Sequence, residues 1–466
     1  MEQNLKKSIL QILSSEQAYH YRIVPFEEKD DVLFIKTDHS QIASLQNELE
    51  IVFERRIKLT QVSKEELNTL LATNYRKAKN NSTNLDFSTD FLDKIILNAK
   101  NIGSSDIHFE PYNKRCRVRL RVDGKLLEQF NIPVEDYPSI VNKIKIKANL
   151  DIAEKRLPQD GRISIKRNAE DLDLRVSTLP TLHGEKIVLR ILNKNTDGIN
   201  LESLGLLPNE FAIYTESMKK PNGIILISGP TGSGKTTTLY ATLKKLNKEE
   251  TNILTIEDPI EYTLEGVNQV HLKESIGLDF ETTLKTFLRQ DPNVIMVGEI
   301  RDAKTAYMAI RASLTGRLVL STIHTNSAWG TITRLIDMGI PPFLIASTLN
   351  LSVAQRLVRC LCTNCKKKSG MDLNLFPASM KSEVKFKDHF IPVGCPKCHF
   401  TGYSGRKAIY ELLPVNHEVK NLIKLNEDAN IIRYFQENNI ATLKTNAINL
   451  IQSGETSIDE VYSILS

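Results

Sequence analysis

The sequence predicts a multidomain α/β chain built around a parallel-sheet nucleotide-binding core, and three observations carry that expectation. The first is the run Gly229-Pro-Thr-Gly-Ser-Gly-Lys235-Thr236, which fits G-x-x-x-x-G-K-T. It follows a short apolar, β-branched stretch, Gly223 to Ser228 (GIILIS), and precedes a helical stretch to Leu246, the setting that a phosphate-binding loop requires. The second is an alternation of strand, loop and helix signals from about residue 201 to 358, the pattern of a parallel sheet with helices on its faces. The third is a pair of C-x-x-C knuckles, Cys362/Cys365 and Cys395/Cys398.

Length and charge set the frame. At roughly 150 residues per domain, 466 residues accommodate about three domains with substantial cores. A formal net charge of +5 is mild for this length and argues neither for nor against a nucleic-acid or membrane partner. No window approaches about 18 consecutive apolar residues. The amphipathic start (MEQNLKKSILQILSSEQ) lacks a secretory apolar core, so an intracellular, cytoplasmic chain is expected. In a reducing compartment the paired cysteines read as metal ligands rather than disulfides.

Along the chain, residues 1–80 contain a small α/β unit. Its extended runs fall near Tyr21–Pro25 and Val32–Thr37, and a helical segment near Gln41–Leu49. The polar, turn-rich stretch around 76–86 suits a linker, placed at 81–86. A mixed α/β domain is expected over 87–200, opening with a helix from Phe87 to Leu97. In it Cys116, Val118, Leu120 and Val122 alternate with Arg117, Arg119 and Arg121 before Asp123-Gly124, a hairpin with one basic face. A second helix at Pro138–Leu150 and strands near Ile163, Leu174 and Val188 follow. The core is placed at 201–358, a cysteine-bearing module at 359–410 and a mostly helical region at 411–466.

The chemistry follows from residue type and position. Backbone N–H groups across Gly229, Pro230, Thr231, Gly232, Ser233 and Gly234 would cradle the phosphates of ATP. Lys235 would reach the β/γ-phosphates, and Thr236, with Thr237 beside it, would hold Mg²⁺. Glu299 leaves the apolar strand Val294–Val297, where a carboxylate can orient an attacking water. Glu257, Asp258 and Glu261 form a second acidic cluster after another apolar run; it reads either as water or Mg²⁺ positioning or as an ordinary charged strand end. Four thiolates in two knuckles suit tetrahedral zinc. The 29 residues between Cys365 and Cys395 exceed the usual span of about 15 to 20, so redox use of the knuckles is the competing reading. Cys360 and His399 are possible substitute ligands, and Cys116 reads as packed.

Beyond the phosphate loop, ILTIEDPIEY (253–262), LRQDPNVIMVGEIRD (288–302) and LVLSTIHTN (318–326) resemble the Asp box, Walker B and His box of the secretion ATPases. With SDIHFEP (105–111), RLRVDG (119–124), RLPQDGR (156–162) and QRL (355–357), the chain is similar to the GspE/PilB family, motors of type II secretion and type IV pilus assembly. The resemblance implies a PAS-like domain before a RecA-like ATPase core, a zinc tetracysteine module and C-terminal helices, assembled as a homo-hexameric ring. It makes His324 a γ-phosphate neighbour and Arg162, Arg175 and Arg190 donors of transition-state charge from another domain or subunit. Arg317 departs from the pattern, since many relatives carry a second histidine there; an arginine could still supply positive charge. Implied partners are a polytopic inner-membrane platform protein, which residues 1–80 would help to dock, and a cytosolic adaptor domain; the chain would be peripheral to the inner membrane. A DNA-translocating or DNA-uptake ring and a non-hydrolytic scaffold are the alternatives. Arg115–Arg121 and Lys143–Lys147 are basic runs, but only Tyr112 and Phe130 lie near them for base stacking, which argues against nucleic acid as a partner.

Overall fold

Alternation of apolar and polar residues sets the strands from the N-terminus onward. The computed structural model describes residues 9, 12–13, 15–29, 32–53, 55–75, 91–165, 172–192, 198–381, 386–426 and 428–466. The expected linker at 81–86 and the start of the expected helix at 87–90 lie outside the described residues. Strands β1 (Ile23–Lys29), β2 (Val32–Thr37) and β3 (Arg56–Gln61) form a first sheet, β1 antiparallel and β3 parallel to β2. The helix Ile42–Phe53 makes the crossover that the parallel pair needs. A further helix, Lys64–Asn74, is capped by Ser63, whose hydroxyl accepts from the Glu66 amide at 3.1 Å. Ile23, Leu33, Ile35, Leu49 and Leu67 fill the core.

The next six strands are β4 (Ser104–Pro111), β5 (Cys116–Val122), β6 (Lys125–Ile132), β7 (Gln159–Ile165), β8 (Leu172–Thr181) and β9 (Gly184–Leu192). They form one antiparallel sheet in the order β6-β5-β4-β9-β8-β7. Helices Phe91–Asn101 and Tyr137–Lys147 bury Ile95, Ile96, Ile140 and Ile144 with Phe109, Val118, Leu120 and Leu189 of the sheet. Cys116 packs in the same core. The β5–β6 turn has Asp123 at φ 46° and Gly124 at φ 82°, the two positive values of a type I′ hairpin.

The basic face of β5 is paired rather than open. Glu110, buried at 3 % exposure, accepts from Arg117 Nε at 2.9 Å and from Arg119 Nε and Nη2 at 2.8 and 2.7 Å. Lys186 approaches it at 3.1 Å, and Arg121 pairs with Asp106 at 3.3 Å. Burial works against the Glu110 charge, but the hydrogen bonds from Arg119, Lys186 and Arg117 outweigh it and hold the carboxyl at about 2. Lys145 is fully buried and contacts Glu185 at 2.6 Å while donating to the Glu154 carbonyl at 2.6 Å.

The largest sheet has seven strands: β10 (Gly223–Ser228), β11 (Ile253–Glu257), β12 (Asn268–His271), β13 (Val294–Val297), β14 (Leu318–Ile323), β15 (Leu349–Leu361) and, after a small pair β16 (Lys367–Gly370) and β17 (Asp388–Ile391), β18 (Tyr403–Pro414). Their order is β12-β11-β13-β14-β10-β15-β18, and the pairings from β12 through β15 are parallel. Every residue of β10, β11, β13 and β14 is buried, as expected of a parallel sheet covered on both faces. Ile224 and Leu226 enter one hydrophobic cluster and Ile225 and Ile227 the other. β15 continues the sheet beyond residue 358 to Leu361, and β18 rejoins it from Tyr403, so the cysteine-bearing segment is an insertion in sequence between two strands. Helices His417–Leu425, Asp428–Glu437, Leu443–Gln452 and Ile458–Leu465 complete the chain. Contacts divide the molecule into two compact units, one holding the three- and six-stranded sheets and the four knuckle cysteines, the other most of the seven-stranded sheet and the C-terminal helices.

Replacing Glu110 by Gln leaves its arginines incompletely paired and should cost about 2 kcal/mol of stability at neutral pH, the scale of charged hydrogen bonds to a buried acceptor. Because the carboxyl is depressed to about 2, its contribution is present above the usual carboxylate range and lost as pH falls through about 2. Thermal unfolding of native and Glu110→Gln chains should therefore converge on acidification.

Candidate active site and metal centre

The register of the parallel strands brings four loop exits to one edge. Val297 of β13 pairs with both Ile256 of β11 and Ser321 of β14, and Ser228 of β10 pairs with Ile323 of β14 and Ala354 of β15. The residues that follow, Gly229, Asp258, Glu299 and His324, thus leave from the carboxyl ends of adjacent strands, where open α/β sheets bind ligands. The phosphate loop turns through Gly229 at φ 151° and Gly234 at φ 89°. A Cβ at Gly229 would meet the Gln355 backbone carbonyl at 2.5 Å, so close approach to β15 requires that glycine, whereas Gly234 is required by its positive φ, its nearest neighbour being the Gln355 side-chain Nε2 at 2.8 Å. The helix Lys235–Leu246 starts at the loop and aims its N-terminus at the edge.

A cavity of about 550 Å³ opens there, lined by Thr231 through Thr237, Asp258, Glu261, Glu299 and His324. Lys235 is buried and donates to the carbonyls of Gly229 at 2.7 Å and Pro230 at 3.1 Å. Burial lowers its pKa, against the opposing charge of Glu299. Glu299 accepts from Arg301 and lies 3.4 Å from His324 Nε2. Burial works against its charge, but the contacts of Arg301 and His324 outweigh it and keep the carboxyl below its usual range. An ionised carboxylate here is a hydrogen-bond acceptor for water.

Glu257 is set differently from Glu299, although both line the cavity. It is 3 % exposed, accepts from Thr255 Oγ1 at 2.6 Å and Gln269 Nε2 at 3.1 Å, and takes the Tyr240 hydroxyl on its other oxygen. Its oxygens are committed to this network, whereas Asp258 is exposed and Glu261 half-buried at the cavity wall. Thr236 is exposed to the cavity and, with these two carboxylates, is a donor set of hard oxygens that fits Mg²⁺.

Arg162, Arg175 and Arg190 lie on the antiparallel sheet, and they form one cross-strand row. Arg162 is directly opposite Arg175 and Arg175 directly opposite Arg190, with Asp106 next in the row. Arg190 donates to Asp106 at 3.0 Å and keeps 58 % of its side chain exposed. Like charges directly opposed on one face are unfavourable unless an anion is brought to them. Arg317 sits at the other end of β14 from His324, donating to the Thr315 carbonyl at 2.6 Å and facing Asp291 at 3.9 Å. A whole strand separates Arg317 from His324, so any positive charge it supplies is delivered at the opposite strand end from that histidine. Arg301, Arg406, Tyr262 and Leu357 also line the cavity. Sequence reading singled out none of them as site residues. Arg301 had a signal, two residues from Glu299, but Arg406 arrives from β18 with no local pattern to mark it.

The four knuckle cysteines converge. Their Sγ atoms all lie within 4.8 Å of one another, and the closest pairs are 3.8 to 3.9 Å apart. That is far beyond a disulfide bond. It matches the edge of about 3.8 Å expected for a tetrahedron with Zn–S bonds of about 2.3 Å. Amides of Gly394 and Gly402 donate to Cys365 and Cys398 sulfurs at 3.3 Å each, as knuckle backbones do toward thiolates. Among the described residues Cys360 and His399 are not part of the cluster.

Against known proteins, the sequence profile described as Type II/IV secretion system protein matches residues 81–463, and an MshEN domain matches residues 2–81. The chain belongs to the type II/IV secretion system protein family. It is 44 % identical to the type II secretion system ATPase E of Vibrio cholerae over 365 residues, covering 78 % of this chain and 72 % of that one. It is 38 % identical to the type IV pilus assembly ATPase PilB of Acinetobacter baylyi over 486 residues, covering 96 % and 82 %. Among solved structures the Legionella pneumophila ATPase DotB superposes with a TM-score of 0.61 at 22 % identity, over 81 % of this chain and 95 % of that one, a likeness of fold. The pilus retraction motor PilT with bound ADP gives 0.54 at 25 % identity, over 79 % and 95 %.

The purified chain should carry one zinc ion, measured by elemental analysis, with Cys365→Ser reducing the content and lowering the melting temperature. Metal-free protein whose knuckle thiols cycle readily with dithiol reagents would favour the redox reading.

Proposed function

We propose that this chain is a cytoplasmic motor ATPase that hydrolyses Mg-ATP to drive (pseudo)pilus assembly or protein export. The observation that carries this reading is the gathering of Lys235, Glu299 and His324 around one cavity at the strand exits, in a chain whose relatives are named as secretion and pilus-assembly ATPases. In this reading the amides of Gly229–Gly234 and the Lys235 ammonium hold the phosphates, and Thr236 with Asp258 and Glu261 would hold Mg²⁺, which neutralises phosphate charge when bound. Glu299, ionised, accepts from the attacking water and aligns it. His324 sits beside Glu299 and donates toward the γ-phosphate region, while the network around Glu257 keeps the β11 exit rigid.

The cationic row Arg162–Arg175–Arg190 completes the site from a neighbouring subunit. The strand pairing lines the three arginine positions up in single file, a cationic row suited to the charge of a triphosphate. A homo-hexameric ring is the closed assembly that repeats such a contact. The ring would work at the inner membrane, pushing a polytopic platform protein, with the MshEN domain serving contact with a cytosolic adaptor. Among the described residues no helix is long and apolar enough to cross a membrane. The nucleic-acid reading gains little: Arg117, Arg119 and Arg121 are paired with Glu110 and Asp106, and Lys145 is buried, so these runs offer no continuous phosphate path.

Cells whose only copy carries Lys235→Ala should lose surface filaments or the exported protein at unchanged protein level; retained filaments and export together would contradict the motor role. In vitro, Arg190→Ala should lower turnover much more than ATP affinity, and equal losses in both would contradict its placement at the transferring phosphate.

A further inference from the structure

Glu411 is a charged residue inside an apolar strand run, Ile409-Tyr-Glu-Leu-Leu413 of β18, and it is 6 % exposed. A carboxylate in that position must find donors. It finds two, and both are the first amides of helices. Oε1 accepts from the Ala328 amide at 2.8 Å, at the start of the helix Ala328–Asp337. Oε2 accepts from the Leu443 amide at 3.2 Å, at the start of the helix Leu443–Gln452. Two helix N-termini therefore converge on one buried carboxylate, each favouring its negative charge. Burial raises the Glu411 pKa, while these two amides and the charge of Arg356 oppose the rise.

The first of those helices begins four residues after His324, and each intervening residue is held. Thr325 Oγ1 donates to the Ser327 carbonyl at 3.1 Å. Arg356 Nη2 donates to the Asn326 carbonyl at 3.0 Å, and Nη1 to the Gln355 carbonyl at 3.0 Å, on the strand that backs the phosphate loop. Ser327 caps the helix by accepting from the Gly330 amide at 3.0 Å. The loop bearing His324 is thus fixed at its far end by the same carboxylate that fixes the C-terminal helix Leu443–Gln452.

We infer that Glu411 is a positioning residue: it couples the seating of the C-terminal helices to the placement of His324 beside Glu299, so that turnover depends on those helices being docked. The inference rests on the reading of His324 and Glu299 as the hydrolytic site. It makes the C-terminal helices an input to ATP turnover, because displacing them withdraws one of the two donors of Glu411 and loosens the only described side-chain acceptor of the Ala328 amide.

The test compares full-length native chain with Glu411→Gln and, independently, Leu443→Pro, each in native and His324→Ala backgrounds, by steady-state Mg-ATP turnover and by ATP affinity. Leu443→Pro removes one amide donor at a first helical position that tolerates proline, and Thr442 at φ −84° and ψ 165° already has the extended backbone a following proline needs; because Leu443 is itself a core residue, Leu443→Ala, which keeps the amide, controls for the lost side chain and should leave kcat within about twofold of native. Leu443→Pro keeps the test decisive if Glu411→Gln does not fold. The expected result for Glu411→Gln and Leu443→Pro is a loss of kcat of about tenfold or more with ATP affinity within about twofold, as a small misplacement produces. In the His324→Ala background the same substitutions should cost less than about twofold, since the residue they position is gone. Turnover within about twofold of native in a folded Glu411→Gln or Leu443→Pro chain overturns the inference, as does an undiminished loss in the His324→Ala background. If His324→Ala alone turns over like the native chain, the reading of the site fails and this inference with it.

Discussion

The register of the parallel strands β11, β13, β14 and β10 is the constraint on which the rest depends. Pairing of Val297 with Ile256 and Ser321 places three strand ends level, and a slip of one residue would turn every buried side chain of a strand to the other cluster. Because all four strands are buried on both faces, hydrophobic burial enforces that register from two sides. The polar chemistry sits just past the last apolar residue of each strand. Stitching bonds at the exits, from Thr322 Oγ1 to the Gly298 carbonyl at 2.8 Å and from the Ile300 amide to the Thr322 carbonyl at 2.8 Å, extend the alignment into the loops that carry Glu299 and His324.

Buried charges divide into two kinds. Glu110, Lys145, Glu257 and Glu411 are saturated by donors or counter-charges and hold geometry. Glu299 and Lys235 are held only by groups that a ligand can replace, a neighbouring arginine and histidine for one and two carbonyls of the phosphate loop for the other. The division separates carboxylates of the same type and similar strand position: Glu257 closes β11 and Glu299 follows β13, yet the oxygens of the first are committed to Thr255, Gln269 and Tyr240 while the second faces His324 in the cavity.

Much of this was legible in the sequence because it is local. The phosphate loop, the I′ turn at Asp123-Gly124, the alternation along β5 and the knuckle cysteines are patterns within a few residues, and the structure shows each as an element or a cluster. Strand β3 and the helix Lys64–Asn74 were not anticipated, since RIKLTQ alternates charge with little apolar content and buries only Ile57 fully. Arg406 and Glu411 were missed for a different reason. The partners of Glu411 are helix starts distant in sequence, Arg406 reaches a cavity built by strands distant in sequence, and nothing near either residue distinguishes it from ordinary strand residues. The row of Arg162, Arg175 and Arg190 could be named individually, but its single-file alignment is a property of strand pairing alone.

The central claim, that Glu299 aligns the water that attacks ATP held by Lys235, is tested most directly by single-turnover hydrolysis and ATP binding in the Glu299→Gln chain. The account predicts ATP affinity close to native with hydrolysis reduced by about a hundredfold or more, as loss of a positioned acceptor in general acid–base catalysis brings. Hydrolysis at the native rate in that variant would contradict the account and leave nucleotide binding as the site's work.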